Sequence, residues 1–312
     1  MGKKNFIQSI KGTLSVNDLG FTLSHEHLIC SPPLWMAEKD PDLVLDDENK
    51  AIEELNLFYQ AGGRSIVEAS PIDYGRNVHA LKRISEKTPV NIIFTTGFNK
   101  GSYFPTWVND LSYEEIAEKL IKEIKDGVEN LGVKPGLLKA GTSYNRITSQ
   151  EEKVLKAVAK AHRETGAPIW LHTEIGTMGL EQLNILEKMG VNLECIAIGH
   201  SDRNPDLWYH LKILERGAFV QFDSIGKIKY HPDSLRIELI KRICDKGYIN
   251  KLLISGDMAR KSYFKAYGGG PGLEFIIKKF VPRMLEEGFT EEEINIIFVK
   301  NPSYFLSFTN PY

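Results

Sequence analysis

Eight short apolar runs, each followed by a longer stretch of helical periodicity, constrain this chain more than any other feature. They are residues 21–29 (FTLSHEHLI), 65–70 (SIVEAS), 90–97 (VNIIFTTG), 136–142 (GLLKAGT), 168–174 (PIWLHTE), 195–201 (CIAIGHS), 219–225 (FVQFDSI) and 252–258 (LLISGDM). Runs rich in β-branched residues that alternate with amphipathic segments are the pattern of parallel strands joined by crossover helices. Segments 112–131 and 149–165 carry apolar residues at three- and four-residue spacing, with Glu early and Lys or Arg later. Ser149 reads as an N-cap, with Glu152 completing a capping box. Eight such units in 312 residues predict an α/β fold, a closed (β/α)8 TIM barrel formed as one domain over residues 1–312. An open doubly wound sheet fits less well, because no GxGxxG turn follows the first run. Residues 281–305 read as a helical tail, and 268–272 (GGGPG) as a loop whose glycines serve a hinge or simple turn chemistry.

The bulk properties narrow the partners. With 42% hydrophobic and 26% charged residues and a formal net charge of -2, the chain has an ordinary globular profile and no electrostatic footprint for nucleic acid. No stretch approaches the roughly 18 apolar residues of a membrane span. The N-terminus (MGKKNFIQSIKGTLSV) lacks a secretory apolar core, and Phe6 breaks the myristoylation pattern, so a cytoplasmic location is expected. Cys30, Cys195 and Cys244 are odd in number and lack CxxC spacing, which points to core thiols and away from disulfides or thiolate zinc.

A barrel gathers its chemistry at the C-terminal ends of its strands. The first run ends in His25-Glu26-His27, the fourth carries Lys139, the fifth His172, the sixth His200 and the eighth Asp257. Strand alternation puts His25 and His27 on one side, where two imidazoles can share a metal ion. A lone histidine in an apolar strand is usually a satisfied core residue. Four of the chain's eight histidines at three strand ends are not explained that way. Lys139 has two readings: an ammonium paired with Asp257 or Glu68, or an amine neutralised by burial beside metal and converted by carbon dioxide to an anionic carbamate.

HEH on the first strand, Lys on the fourth, His on the fifth and sixth and Asp on the eighth together resemble the phosphotriesterase family of the amidohydrolase superfamily, as do the words TLSHEHL, GLLKAGTS and ISGDMAR. The resemblance implies a hydrolase with two divalent metal ions, zinc first, with manganese or cobalt as alternatives. His25, His27 and Asp257 would hold the more buried ion, His172 and His200 the more exposed one, and carbamylated Lys139 would bridge them. It also implies attack by a hydroxide shared between the ions, which Asp257 orients and whose proton it carries to the leaving group. A homodimer is expected by the same analogy.

Substrate choice lies in the loops. The family's acyl-homoserine lactonases carry a tyrosine two residues after the TG of strand three, where this chain has Asn99. Lys227 and Lys229 follow strand seven, and Arg260 and Lys261 follow strand eight, where barrels often hold phosphate. Lys229, Arg260 and Tyr263 are similar to the phosphate-holding trio of the sugar-phosphate lactonase branch. The expected substrate is therefore a small molecule carrying phosphate, a pentono-1,4-lactone 5-phosphate. The alternatives are a phosphotriesterase (aryldialkylphosphatase), an acyl-homoserine lactonase, and a metal-stabilised binding protein without turnover.

Overall fold

Alternation of side chains at period two is what turns the eight apolar runs into a closed sheet. The computed structural model describes residues 5–312. An antiparallel hairpin, Phe6–Ser9 (β1) and Gly12–Ser15 (β2), precedes eight parallel strands: Thr22–Glu26 (β3), Ser65–Glu68 (β4), Asn91–Gly97 (β5), Leu137–Thr142 (β6), Ile169–Thr173 (β7), Ile196–Ile198 (β8), Phe219–Phe222 (β9) and Leu252–Ile254 (β10). Each of the eight pairs with its neighbour in chain order, with helices between, so the fold is the expected (β/α)8 barrel. The seam between β10 and β3 is closed by individual bonds: Asp257 N donates to His25 O at 3.0 Å, and His25 N to Ser255 Oγ at 3.0 Å.

Six of the eight strands stop short of the ends of their apolar runs, and the last residues of those runs leave the ladder to form the top of the barrel. Seven strands contribute one residue each to the apolar lumen: Val67, Ile93, Leu137, Trp170, Ala197, Phe219 and Leu253. Their immediate neighbours in sequence, such as Ile66, Leu138 and Leu171, belong instead to the larger cluster beneath the helices. Ile7 of the hairpin and Phe305 and Leu306 of the helix Asn301–Leu306 join the lumen cluster and plug its lower end. The sequence reading had no element for this hairpin.

Trp170 fills the lumen, with its Nε1 donating to Gln221 Oε1 at 2.9 Å. A Cβ on Gly199 would lie 1.9 Å from the Trp170 ring, so that neighbour must be glycine. Two residues further along the same inward faces come Lys139, His172 and Ser255, and a polar layer thus sits directly on an apolar floor.

Two local expectations are corrected, and of the two readings of 268–272 the structure shows turn chemistry. The N-cap of the helix Ser149–Thr165 is Thr148, and Glu151 closes the capping box. Glu151 is drawn inward because it also accepts from Ser143 Oγ at 2.6 Å and Gly101 N at 2.9 Å. The helical tail is two stretches, 276–286 and 291–306, broken at Gly288 with φ 97°. Within 268–272, the amides of Gly268, Gly269, Gly270 and Gly272 donate to carbonyls of residues 262–265. A Cβ on Gly269 would lie 2.1 Å from Ser262 O, so this is a bonded turn that needs glycine for close approach. None of the three cysteines is in a disulfide among the described residues, and no helix of the described residues is long and apolar enough to cross a membrane.

Replacing Gly199 with Ala should cost about 1–3 kcal/mol, because the lumen cannot take another methyl without moving Trp170. Urea unfolding measures it, and wild-type stability would mean the lumen is slack.

Candidate active site

The structure brings all nine sequence-predicted residues to one cavity of 170 Å³ at the C-terminal end of the barrel. His25 lies on β3 with His27 just beyond it, Lys139 on β6 and His172 on β7. His200 and Asp257 stand past the ends of β8 and β10 in left-handed backbone, at φ 56° and 47°. Such a conformation costs a non-glycine residue energy and persists only where bonds over-determine it. Here His200 N donates to Asp223 Oδ2 at 3.0 Å, and Asp257 N to His25 O.

Between His25 and His27, Glu26 is buried. It accepts from Gly256 N at 2.6 Å, Met258 N at 2.7 Å and Ser255 Oγ at 2.7 Å. These three bonds fix the segment that carries Asp257. Burial raises the Glu26 carboxyl to about 7 despite them.

Three of the four histidines have one nitrogen committed to an outer partner and the other turned to the site. His27 Nδ1 is bonded to Ser70 Oγ at 2.7 Å, His200 Nδ1 to Asp223 Oδ1 at 2.7 Å and His172 Nε2 to Glu174 Oε2 at 3.2 Å. His25 Nδ1, which has no hydrogen bond among the described residues, lies 3.5 Å from Asp223 Oδ2. Burial drives His25 and His200 well below the usual histidine range and lowers His172, so their rings are neutral and keep a lone pair. This is the outer-shell arrangement that fixes the tautomer of a metal-ligating imidazole.

The distances fit an ion. His25 Nε2 and His27 Nε2 stand 3.5 and 3.4 Å from Asp257 Oδ1. Donors bound at about 2.0–2.1 Å in a tetrahedron are about 3.3–3.4 Å apart. The His25, His27 and Asp257 group could therefore hold a metal. His172 Nδ1 and His200 Nε2 are 2.9 Å apart and would separate slightly to share a second ion.

Lys139 forms no ion pair with Asp257 or Glu68. Its Nζ donates to Ala69 O at 2.7 Å and stands 4.7 Å from the Trp170 ring centre. Burial lowers its ammonium to about 8, against the opposing charges of Asp257, Asp73 and Glu68. Glu68 is spent elsewhere, accepting from Leu28 N and from Ser70 N.

The rest of the cavity wall is strongly polar. Asp257 Oδ2 accepts from Arg203 Nη2 at 2.8 Å and Lys227 Nζ at 2.9 Å. Burial pushes the Asp257 carboxyl up, but Lys227 and the surrounding histidines outweigh it and hold the group well below the usual range. Lys229 Nζ lies 5.6 Å from the Tyr263 ring centre and 4.9 Å from that of Tyr230. Arg260 Nη1 is held by Asp40 at 2.7 Å and Asp42 at 3.3 Å. Lys261 turns away to Asp46 at 3.0 Å and is not part of the wall.

Sequence reasoning passed over Ser70, Asp223, Glu174 and Arg203. Asp223 and Glu174 were open to the same test that found the histidines, since both are acids closing apolar runs. Ser70 and Arg203 carry no such signal, because their partners are far away in sequence.

The Phosphotriesterase family model matches residues 5–306. A phospho-furanose lactonase of Mycoplasmopsis agalactiae is 32% identical over 332 residues, covering 100% of this chain and 94% of that one. The crystal structure of a lactonase from Listeria monocytogenes superposes with a TM-score of 0.94 at 42% identity, covering 98% of this chain and all of the other. The Escherichia coli phosphotriesterase homology protein, solved with phosphate in its active site, gives a TM-score of 0.89 at 36% identity, covering 93% and 99%. With its metal-fitting group, its barrel and a family match over nearly its whole length, the chain belongs to the phosphotriesterase family and is a hydrolase.

Proposed function

We propose that this hydrolase opens the lactone ring of a phosphorylated furanose, a pentono-1,4-lactone 5-phosphate, with two divalent ions as cofactors. The observation that carries the reading is the cationic wall of Lys229 and Arg260, with Tyr263 beside them, on the same small cavity as the imidazoles. An ammonium, a planar guanidinium and a phenol supply the several donors that a phosphate monoester needs. The phospho-furanose lactonase relative and the phosphate held by the Escherichia coli protein support the same choice.

In this reading His25, His27 and Asp257 hold one ion and His172 and His200 the other, with zinc the first choice and manganese or cobalt the alternatives. The neutral Lys139 Nζ, once it had added to the carbon of dissolved carbon dioxide and lost a proton to solvent, would supply an anionic carbamate as a further ligand to the ions. Bound there, the ions would acidify a water and polarise the lactone carbonyl. Lys229, Arg260 and Tyr263 anchor the phosphate and thereby fix the ring over the centre. Asp257 takes the water's proton and returns it to the departing ring oxygen, while Arg203 and Lys227 fix the carboxylate from its other side.

Cavity size argues against the bulkier alternatives. At 170 Å³ it falls below the roughly 300–1,000 Å³ of sites for drug-sized ligands, which disfavours aryl phosphotriesters and long acyl chains.

Turnover of pentono-1,4-lactone 5-phosphates should exceed that of the unphosphorylated lactones by about a hundredfold or more in kcat/KM, as expected for two charge-assisted bonds of about 1.5–3 kcal/mol each. Arg260→Met should remove much of that advantage through KM. Equal rates on both lactones would dispose of the phosphate reading, and no hydrolysis by fully metallated protein would favour the binding-protein alternative.

Because the Lys139 amine becomes neutral as pH rises through about 8, metal uptake by stripped protein at fixed dissolved carbon dioxide should quicken across that range. Lys139→Ala should lose metal, with partial recovery in short carboxylic acids. Uptake that is flat with pH, in a variant series that still binds two ions, would argue against the carbamate.

A further inference from the structure

Asn99 is held rigidly by its backbone and left unsatisfied at its side chain. Gly97 precedes it at φ 111°, so close to the neighbouring strand that a Cβ would lie 2.0 Å from Lys139 O. Asn99 N donates to both oxygens of buried Asp73, at 2.8 and 2.9 Å. On its other side, Asn99 O packs so tightly on Gly141 that a Cβ there would come within 2.3 Å. The residue is 7% exposed and lines the cavity, yet its Oδ1 makes no hydrogen bond among the described residues.

A buried carboxamide oxygen without a partner costs about 1–3 kcal/mol, so a fold that fixes one in a binding cavity has a use for it. Beside it, Lys100 Nζ is paired with Glu174 Oε2, and both residues line the same cavity. Among the described residues Glu174 Oε1 takes no hydrogen bond, which leaves an acceptor facing the same space. Asn99 and Lys100 follow β5, whereas Lys229 follows β9, four strands on in an eight-stranded barrel. The two groups therefore stand on opposite sides of the cavity.

We infer that Asn99, backed by the Lys100–Glu174 pair, is a hydroxyl-reading subsite that makes the enzyme selective for lactones bearing a free hydroxyl at C2. The inference rests on the proposed function for its orientation. With the phosphate on C5 held by Lys229 and Arg260 and the C1 carbonyl over the imidazoles, C1 and C2 form the ring edge opposite the carbon that bears the phosphomethyl arm, and C2 is the one of the two that carries a hydroxyl. Its hydroxyl can donate to a carboxamide or carboxylate oxygen and accept from an ammonium, and this wall offers all three. A site built to bond a hydroxyl rejects an analogue lacking it, because its own buried polar groups are then left unpaired.

The test uses four lactones, pentono-1,4-lactone and its 2-deoxy counterpart, each with and without the 5-phosphate, on wild-type metallated protein, Asn99→Leu and Asn99→Ser. The wild type should favour the hydroxylated member of each pair by about ten- to a hundredfold in kcat/KM. Asn99→Leu, of similar size, should bring that ratio close to one, and Asn99→Ser should restore part of it. Melting-temperature shifts induced by the same compounds give the ratio without turnover. A wild-type ratio near one, or a ratio unchanged in Asn99→Leu, overturns the inference, as does the absence of any shift with all four compounds. Equal rates with and without phosphate would instead remove the proposed substrate, and the hydroxyl ratio would then be read on the unphosphorylated pair.

Discussion

The buried carboxylate of Glu26 is the constraint on which the rest depends. β10 and β3 share no regular ladder, so the seam is closed by the bonds that His25 makes with Ser255 and Asp257 together with what Glu26 accepts from Ser255, Gly256 and Met258. A buried acid with three donors is worth more than surface pairs of the same kind, because its alternative is a desolvated charge with no partner. Those same bonds hold Asp257 in left-handed backbone with one oxygen toward His25 and His27. Closing the sheet and shaping the metal-fitting group are thus one physical event, and neither can be loosened separately.

Around that centre the polar groups are arranged by a single rule. Each imidazole is bonded or closely approached at one nitrogen by Ser70, Asp223 or Glu174 and turns the other toward its neighbours in the site. Asp257 follows it as well, with Oδ2 saturated by Arg203 and Lys227 and Oδ1 left over. Outer partners therefore decide where lone pairs point, and the lone pairs that remain converge.

Much of this was legible in the sequence. The eight runs announced the barrel because period-two alternation and crossover helices leave a strong signature, and the six metal-site candidates stood out as polar residues closing apolar runs. What could not be read were features that depend on distant encounters. Arg203 meets Asp257 across 54 positions, and Lys227, which the sequence places with the cationic loops that could hold phosphate, is buried against the same carboxylate. The shift from Ser149 to Thr148 at a helix start has the same origin, since Glu151 is pulled by Ser143 and Gly101 rather than by its own turn. The N-terminal hairpin escaped notice because four-residue strands in a polar context carry little periodicity.

Trp170 links the two layers of the barrel in a way that reaches beyond packing. Its indole fills the lumen from below, stands 3.9 Å from the His25 ring and 5.4 Å from that of His200, and lies under the Lys139 amine. An ultraviolet chromophore is thereby embedded within a few ångströms of the groups whose charge and ligation change in use. Of the four tryptophans in the chain, this one lies where the electric field of the site acts on it directly.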